Sequence, residues 1–125
     1  MTKWIVGVLI GMGAYLGAQD SQPVVMIPVT VIDPFGRGVV GLERTNFKVA
    51  DDASEQKLLF FQATGGGSYT LGFAFLRLVD SRTHSILVTA DGKGLPPLTV
   101  RSRSQYTASA DCKADDRFPG FSCVY

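Results

Sequence analysis

Apolar and polar residues alternate along much of this chain in short runs that end at glycine, proline or aspartate, a pattern typical of β-strands. The alternation is clearest over residues 68–78, where it predicts one strand with four large apolar side chains on a single face: Tyr69, Leu71, Phe73 and Phe75. Because successive side chains of a strand point to opposite sides of the sheet, this face is expected to line the core.

Six further segments are rich in β-branched or apolar residues and predict additional strands: residues 24–33, 39–42, 47–50, 55–63, 84–90 and 97–103. Pro28 cannot donate a ladder hydrogen bond, so the first of these strands is predicted to lie at a sheet edge or to carry a bulge. Long helical periodicity is not found beyond the N-terminal segment. The chain is therefore predicted to be all-β, as a small immunoglobulin-like or prealbumin-like β-sandwich of six to seven strands.

Turn residues separate these segments. Pro34 presets φ and Gly36 accepts a positive φ after Asp33. Residues 51–54 predict a hairpin loop, and the run Thr64-Gly65-Gly66-Gly67 predicts a break in regular structure. This glycine run lacks the lysine and the following helix of a phosphate-binding loop, so no nucleotide site is predicted there.

The N-terminal segment has the three parts of a signal peptide. Lys3 precedes an apolar run of 13 residues, Trp4 to Leu16, and small residues follow it up to Ala18. A spanning helix needs about 20 apolar residues, so the run is too short to remain as an anchor. Residues 1–18 are predicted to be a signal peptide cut after Ala18, and the protein to be secreted or periplasmic with no membrane anchor after signal removal. A buried N-terminal helix is the alternative.

The two cysteines, Cys112 and Cys123, lie close together near the C-terminus. In an oxidising compartment this spacing predicts a disulfide that closes a short loop, with two free thiols as the alternative. Two cysteines and one distant histidine do not make a four-ligand zinc site readily. The domain plan is a β-sandwich over residues 19–107 and an irregular disulfide-closed tail over residues 108–125.

The charge balance argues against nucleic-acid binding. The chain carries 12 Lys and Arg against 11 Asp and Glu, and removal of the signal takes away only Lys3. A nucleic-acid-binding surface needs concentrated positive charge to displace counterions.

Few residues of the chain are candidates for a catalytic role. His84 is the one histidine, and Ser81, Ser85 and Asp80 are its neighbours in sequence. Neighbours on one strand point to opposite faces, so these residues are not expected to converge as a catalytic triad requires. The sequence predicts a surface or edge histidine, no catalytic residue and no enzymatic activity.

Other charged residues give no specific site. Asp111, Asp115 and Asp116 crowd the tail but do not match a calcium-binding loop, so no metal or cofactor is expected. Arg101 and Arg103 are predicted to share a strand face that is either solvated, the favoured interpretation, or able to bind an anion or a partner carboxylate.

Phe60 and Phe61 are adjacent in a predicted strand and must face opposite sides of it. One of them faces the core, and the other is predicted to face a second layer or a partner protein.

The order of several motifs resembles a known family. Residues 29–52 read VTVIDPFGRGVVGLERTNFKVADD and residues 56–61 read QKLLFF; SYTLGF, HSILV and LTVRSRSQY follow at residues 68–73, 84–88 and 98–106. This order resembles that of the von Willebrand factor A-related exported proteins of Acidobacteria, over about residues 24–108. In that family the two groups of motifs flank an A domain. Here only residues 64–67 separate them, and the metal motif D-x-S-x-S of the A domain is absent.

The resemblance implies that the two flanks form one β-sandwich, into which longer relatives insert the A domain. The function expected from the whole sequence is an exported, non-enzymatic accessory or binding domain that acts through surface contacts with an unknown protein partner. A stand-alone carbohydrate-binding or inhibitor module is the alternative, which an exposed row of aromatic residues on one sheet would favour.

Overall fold

The computed structural model describes residues 22–125, so the predicted signal peptide lies outside the described residues. This part of the chain forms eight strands and one short 3-10 turn. The elements are β1 (Val24–Ile32), the turn (Arg44–Asn46), β2 (Phe47–Asp51), β3 (Ser54–Gln56), β4 (Leu58–Gly65), β5 (Ser68–Ala74), β6 (Thr83–Ala90), β7 (Thr99–Ser102) and β8 (Gln105–Thr107). Over residues 22–125, no helix has the length and apolar character needed to cross a bilayer.

The eight strands make two four-stranded antiparallel sheets. Sheet A has the order β4-β5-β1-β7, and sheet B has the order β3-β2-β6-β8. Apolar side chains from both sheets share one buried cluster, led by Ile27, Leu71, Phe73, Val49 and Ile86. The predicted small all-β sandwich is confirmed.

The alternating face of residues 68–78 lines this core as predicted. Tyr69, Leu71, Phe73 and Phe75 are all almost fully buried. The strand itself stops at Ala74, earlier than the pattern predicted, and residues 75–82 form the connection to β6.

The segment predicted as one strand over residues 55–63 is two strands. β3 pairs with β2 in sheet B, whereas β4 pairs with β5 in sheet A, so the chain changes sheet at Lys57. The apolar residues of this segment do not reveal the change of sheet, because a strand in either sheet can turn its apolar side chains toward the same core. Together with the short strand β8, the split raises the strand count to eight.

Two further predicted strands differ from the structure. Residues 39–42 form no strand, and Gly41 takes a positive φ of 83°. The hydroxyl of Tyr69 donates to the carbonyl of Val39 at 2.7 Å and accepts from the amide of Leu42 at 3.2 Å. The strand predicted over residues 97–103 is confined to β7.

Pro28 lies in β1, which is an interior strand of sheet A and not an edge strand. Its nitrogen nonetheless faces the space between two hydrogen-bonding partners of β1, the C-terminal tail and β7. Met26 donates on that side to the carbonyl of Tyr125 at 3.2 Å, and the β7 ladder starts only at Val29. Since amides two residues apart point the same way, Pro28 falls between the tail and β7, where no donor is needed.

The C-terminal tail covers the outer face of sheet A. The predicted disulfide is confirmed: Cys112 and Cys123 are bonded, with their Cα atoms 5.3 Å apart. The amide of Val24 donates to the carbonyl of Cys123 at 3.0 Å, which docks the tail beside β1. Apart from isolated bridges the tail is irregular.

The two adjacent phenylalanines face opposite sides, as their positions in a strand predicted. Phe61 stacks on Tyr69 at the core, with ring centroids 5.9 Å apart. Phe60 packs instead against Phe118 and Phe121 of the tail, at 5.5 and 6.5 Å. The second layer is therefore supplied by the chain itself.

Candidate functional site

A polar cluster closes one end of the core. Asp51 ends β2, His84 lies near the start of β6, and Tyr106 is the middle residue of β8. All three are almost fully buried. They occupy the inner face of sheet B because their strands keep a two-residue period: Phe47 and Val49 precede Asp51 on the inner face, and Ile86 and Val88 follow His84.

His84 is held from both sides of its ring. Nδ1 lies 2.6 Å from Oδ2 of Asp52, and Nε2 lies 3.1 Å from both oxygens of Asp80. The ring also stacks on Tyr106, the residue opposite it on β8, with centroids 5.2 Å apart. The hydrogen bond to Asp52 raises the pKa of His84, burial opposes the rise, and the hydrogen bond to Asp80 adds to it.

The prediction of a surface or edge histidine is therefore wrong, because His84 is only 5% exposed. The expectation that Asp80 and His84 would not converge is wrong as well. Asp80 is not bound by the alternation of a strand, since it lies in the connection before β6.

A serine relay does not form in this arrangement. The hydroxyl of Ser85 donates to Oδ1 of Asp52 at 3.2 Å, and the amide of Ser81 donates to the carbonyl of Ala108 at 2.8 Å. Both ring nitrogens of His84 face carboxylates, so neither is left to take a proton from a serine hydroxyl as a triad requires.

Asp52 ties the β2–β3 hairpin to β6. It takes a positive φ of 49° in the turn, where aspartate is one of the better-tolerated residues. Its Oδ1 accepts from the amide of Ser85 at 2.8 Å and its Oδ2 faces His84. These hydrogen bonds, led by that with His84, hold the pKa of Asp52 well below its ordinary value.

Asp51 sits deepest in the cluster. The hydroxyl of Tyr106 donates to its Oδ2 at 2.8 Å. Its Oδ1 is buried and has no hydrogen-bond partner within residues 22–125. Burial first, and then the bond to Asp51, raise the pKa of Tyr106, so the phenol stays protonated and donating.

Arg77 links the connection of residues 75–82 to this cluster. Its Nη1 donates to Oδ2 of Asp52 at 2.8 Å and lies 2.8 Å from Nδ1 of His84, and its Nε lies 3.6 Å from Oδ2 of Asp51. The connection is thus tied to the cluster at two points, through Arg77 and Asp80.

The same connection turns apolar side chains outward. Leu76 is 81% exposed and Leu78 is 89% exposed, and Val79 is about half exposed. Leu76 borders a groove of about 270 Å³ whose other lining residues come from the crossing between the sheets and the end of β5: Gln56, Lys57, Leu58, Leu59 and Ala74. We call Leu76, Leu78 and Val79 the leucine loop.

The remaining candidates from the sequence lie elsewhere. Asp115 pairs with Arg117 at 2.7 Å, and no group of metal-ligating residues forms in the described part of the tail. Arg101 lies in β7 and is exposed, as is Arg103. Arg103 follows β7 and donates through Nη2 to the carbonyls of Met26 and Tyr125, at 2.8 and 2.7 Å, and so holds the tail in place.

Sequence reasoning missed Asp51, Asp52, Arg77 and Tyr106 as members of one cluster. A signal existed for two of them, because Asp51 falls in phase with Phe47 and Val49, and Arg77 in phase with the buried residues of β5. A charged residue at an inward position of a strand pattern indicates a site or a buried ion pair.

Comparison of the chain with protein-family models, with curated proteins and with solved structures found no match in any of the three.

Proposed function

We propose that this chain is an exported, non-enzymatic binding domain that recognises a protein partner through the leucine loop. The observation that carries the proposal is the outward position of Leu76 and Leu78 on a connection that is otherwise fixed to the fold. Exposed apolar side chains beside a groove are typical of protein interaction sites.

Rigidity of the loop supports this role. Arg77 and Asp80 bind the buried cluster, and the amide of Ser81 donates to the carbonyl of Ala108. A contact loop that is already ordered loses little conformational entropy when a partner binds, so its apolar area contributes more fully to affinity.

Export is supported by the disulfide between Cys112 and Cys123, since disulfides form and persist mainly in oxidising compartments. The alternative, a carbohydrate-binding module, has less support. Among the large hydrophobic residues exposed within residues 22–125, Phe35 is the one aromatic side chain, so the exposed aromatic row that would favour this alternative is not formed there.

The relation to the von Willebrand factor A-related proteins remains part of the proposal. It is supported by the position of Gly65, Gly66 and Gly67 in the tight turn that joins β4 to β5, where Gly65 pairs with Ser68. Gly65 and Gly66 are exposed, whereas Gly67 is buried against Gly38. Chain ends this close together are compatible with the insertion or loss of a whole domain at that turn.

Leu78→Asp tests the proposed surface. The wild-type protein, carrying a photocrosslinker near the loop, is expected to capture one partner from the exported fraction of the producing cell, and Leu78→Asp is expected to weaken that complex about 30-fold or more. Stability is expected to stay within about 0.5 kcal/mol of wild type, because the side chain is exposed.

Val40→Asp is the matched control, since Val40 is also exposed and apolar but lies outside the loop. The proposal fails if Leu78→Asp binds as well as Val40→Asp. It also fails if the only species captured is a second copy of the chain, which sedimentation at increasing concentration would reveal, or if glycans bind and no protein does.

A further inference from the structure

We propose that Asp51, Asp52 and His84 form a binding site for a divalent transition-metal ion. The guanidinium of Arg77 competes with the ion for this site. One ligand atom from each of the three residues lies within 4.8 Å of the other two. The ligands come from the end of β2, the hairpin turn and β6, so the fold itself brings them together.

The outer contacts of His84 match those of a metal-binding histidine. Asp80 lies 3.1 Å from Nε2 and can accept a hydrogen bond from the Nε2–H group, which leaves Nδ1 directed at the carboxylate of Asp52. Histidine ligands usually donate their second ring N–H to a carboxylate or carbonyl, which fixes the orientation of the ring.

Asp51 provides an independent indication of a ligand. Its side chain is 3% exposed, and Oδ1 accepts no hydrogen bond from any residue in the range 22–125. A buried carboxylate oxygen without a partner is costly, and a bound ion is one of the few ways to satisfy it.

Arg77 occupies the position of a cation at this site. Its Nη1 lies 2.8 Å from Asp52 Oδ2 and 2.8 Å from His84 Nδ1, between two of the ligands. The Arg77 side chain is 37% exposed, whereas those of Asp51 and His84 are nearly inaccessible. The arginine side chain can therefore swing outward and leave the ligands in place, while Asp80 and the amide of Ser81 still hold the connection.

The donor set selects the class of metal. Two carboxylates and one imidazole suit Zn²⁺, Mn²⁺ or Co²⁺, whereas Ca²⁺ takes six to eight oxygen ligands, more than these residues supply. Three protein ligands leave further positions for water or for a group from another molecule.

The test is calorimetric titration of the untagged, disulfide-bonded chain with Zn²⁺, and with Co²⁺ as a spectroscopic probe. The wild-type protein is expected to bind one ion, Arg77→Gln to bind it at least about tenfold more tightly, and His84→Gln to lose binding at least about tenfold. Asp116→Asn, a change of an exposed tail carboxylate, is the control and is expected to bind as wild type does.

Equal affinities of wild type, Arg77→Gln and His84→Gln would overturn the site, as would the absence of binding at millimolar Zn²⁺ in both wild type and Arg77→Gln. If the variants fail to fold, the wild-type protein alone decides: Zn²⁺ must shift the ring resonances of His84, and unchanged resonances would refute the proposal. A negative result here leaves partner binding by the leucine loop untouched, because that proposal needs no metal.

Discussion

Asp51→Ala is expected to destabilise the protein by about 3–4 kcal/mol, because it breaks the ion cluster from its buried side. The hydroxyl of Tyr106 would lose its acceptor, and Arg77 would lose one of its two neighbouring carboxylates. Arg77 keeps its bond to Asp52, but the buried hydroxyl of Tyr106 is left without an acceptor, and removing one partner from a buried charged network is the costly case. Thermal unfolding should show a fall in Tm of more than about 12 °C for a domain of this size.

Two further variants serve as comparisons for Asp51→Ala. Asp51→Asn keeps an acceptor for Tyr106 and should lie between wild type and Asp51→Ala, while Asp116→Ala, at an exposed site, should stay within about 0.5 kcal/mol of wild type. If Asp51→Ala proved no more harmful than Asp116→Ala, the cluster would not stabilise the fold.

The second large effect is expected from loss of the disulfide. Replacement of Cys112 and Cys123 by serine removes a cross-link between residues 11 apart in sequence, which the chain-entropy model values at about 3 kcal/mol. The tail should then leave β1, because its bonds to Val24 and Met26 depend on a short terminal segment. The released tail would expose Phe60 and the outer face of sheet A.

Hydrogen exchange and thermal unfolding measure this second effect together. The amides of Val24 and Met26 should exchange much faster in the double serine variant, while amides in the centre of β5 should change far less. Ser122→Ala is the control, since its side chain is exposed within the same loop. An unchanged Tm and unchanged exchange at Val24 would show that the tail holds its place without the cross-link.

The fold could be predicted from the sequence where the pattern and the physics agree. Tyr69, Leu71 and Phe73 are apolar, in phase and buried, so their strand was found. Phe60 and Phe61 were correctly placed on opposite faces because strand geometry alone fixes that relation. The change of sheet at Lys57 was not predictable in this way, since neither periodicity nor composition distinguishes one long strand from two short ones in different sheets.

The site was missed because the strands were predicted from apolar residues at inward positions, whereas residues of the site are polar or charged and point inward. Arg77 is in phase with the buried side chains of β5 and reaches inward to the cluster, while Leu76 and Leu78 fall on the outward phase. The strand was predicted to reach residue 78 because the alternation continues that far, but the exchange of apolar and polar positions after Phe75 coincides with the end of β5 at Ala74. His84 was assigned to the surface by residue type, although Ile86 and Val88 share its phase and are buried.

The cluster also sets a pH dependence. Asp52 and Asp80 face the His84 ring at its two nitrogens and raise its pKa, while Arg77 and the buried pair of Asp51 and Tyr106 complete its surroundings. Because the pKa is higher in the folded protein than in the unfolded chain, the contribution of His84 to stability is fully present below about pH 6.5 and declines as the pH rises through the raised value.

The central claim is that His84 lies buried between two carboxylates and joins the leucine loop to the core. It is tested most directly by NMR titration of the imidazole resonances in the presence of a chelator, and assignment is simple because the chain has 1 histidine. We predict a midpoint above 6.5 in the wild-type protein, and a lower one in Asp52→Asn. A midpoint at or below 6.5 that Asp52→Asn leaves unchanged would contradict the arrangement.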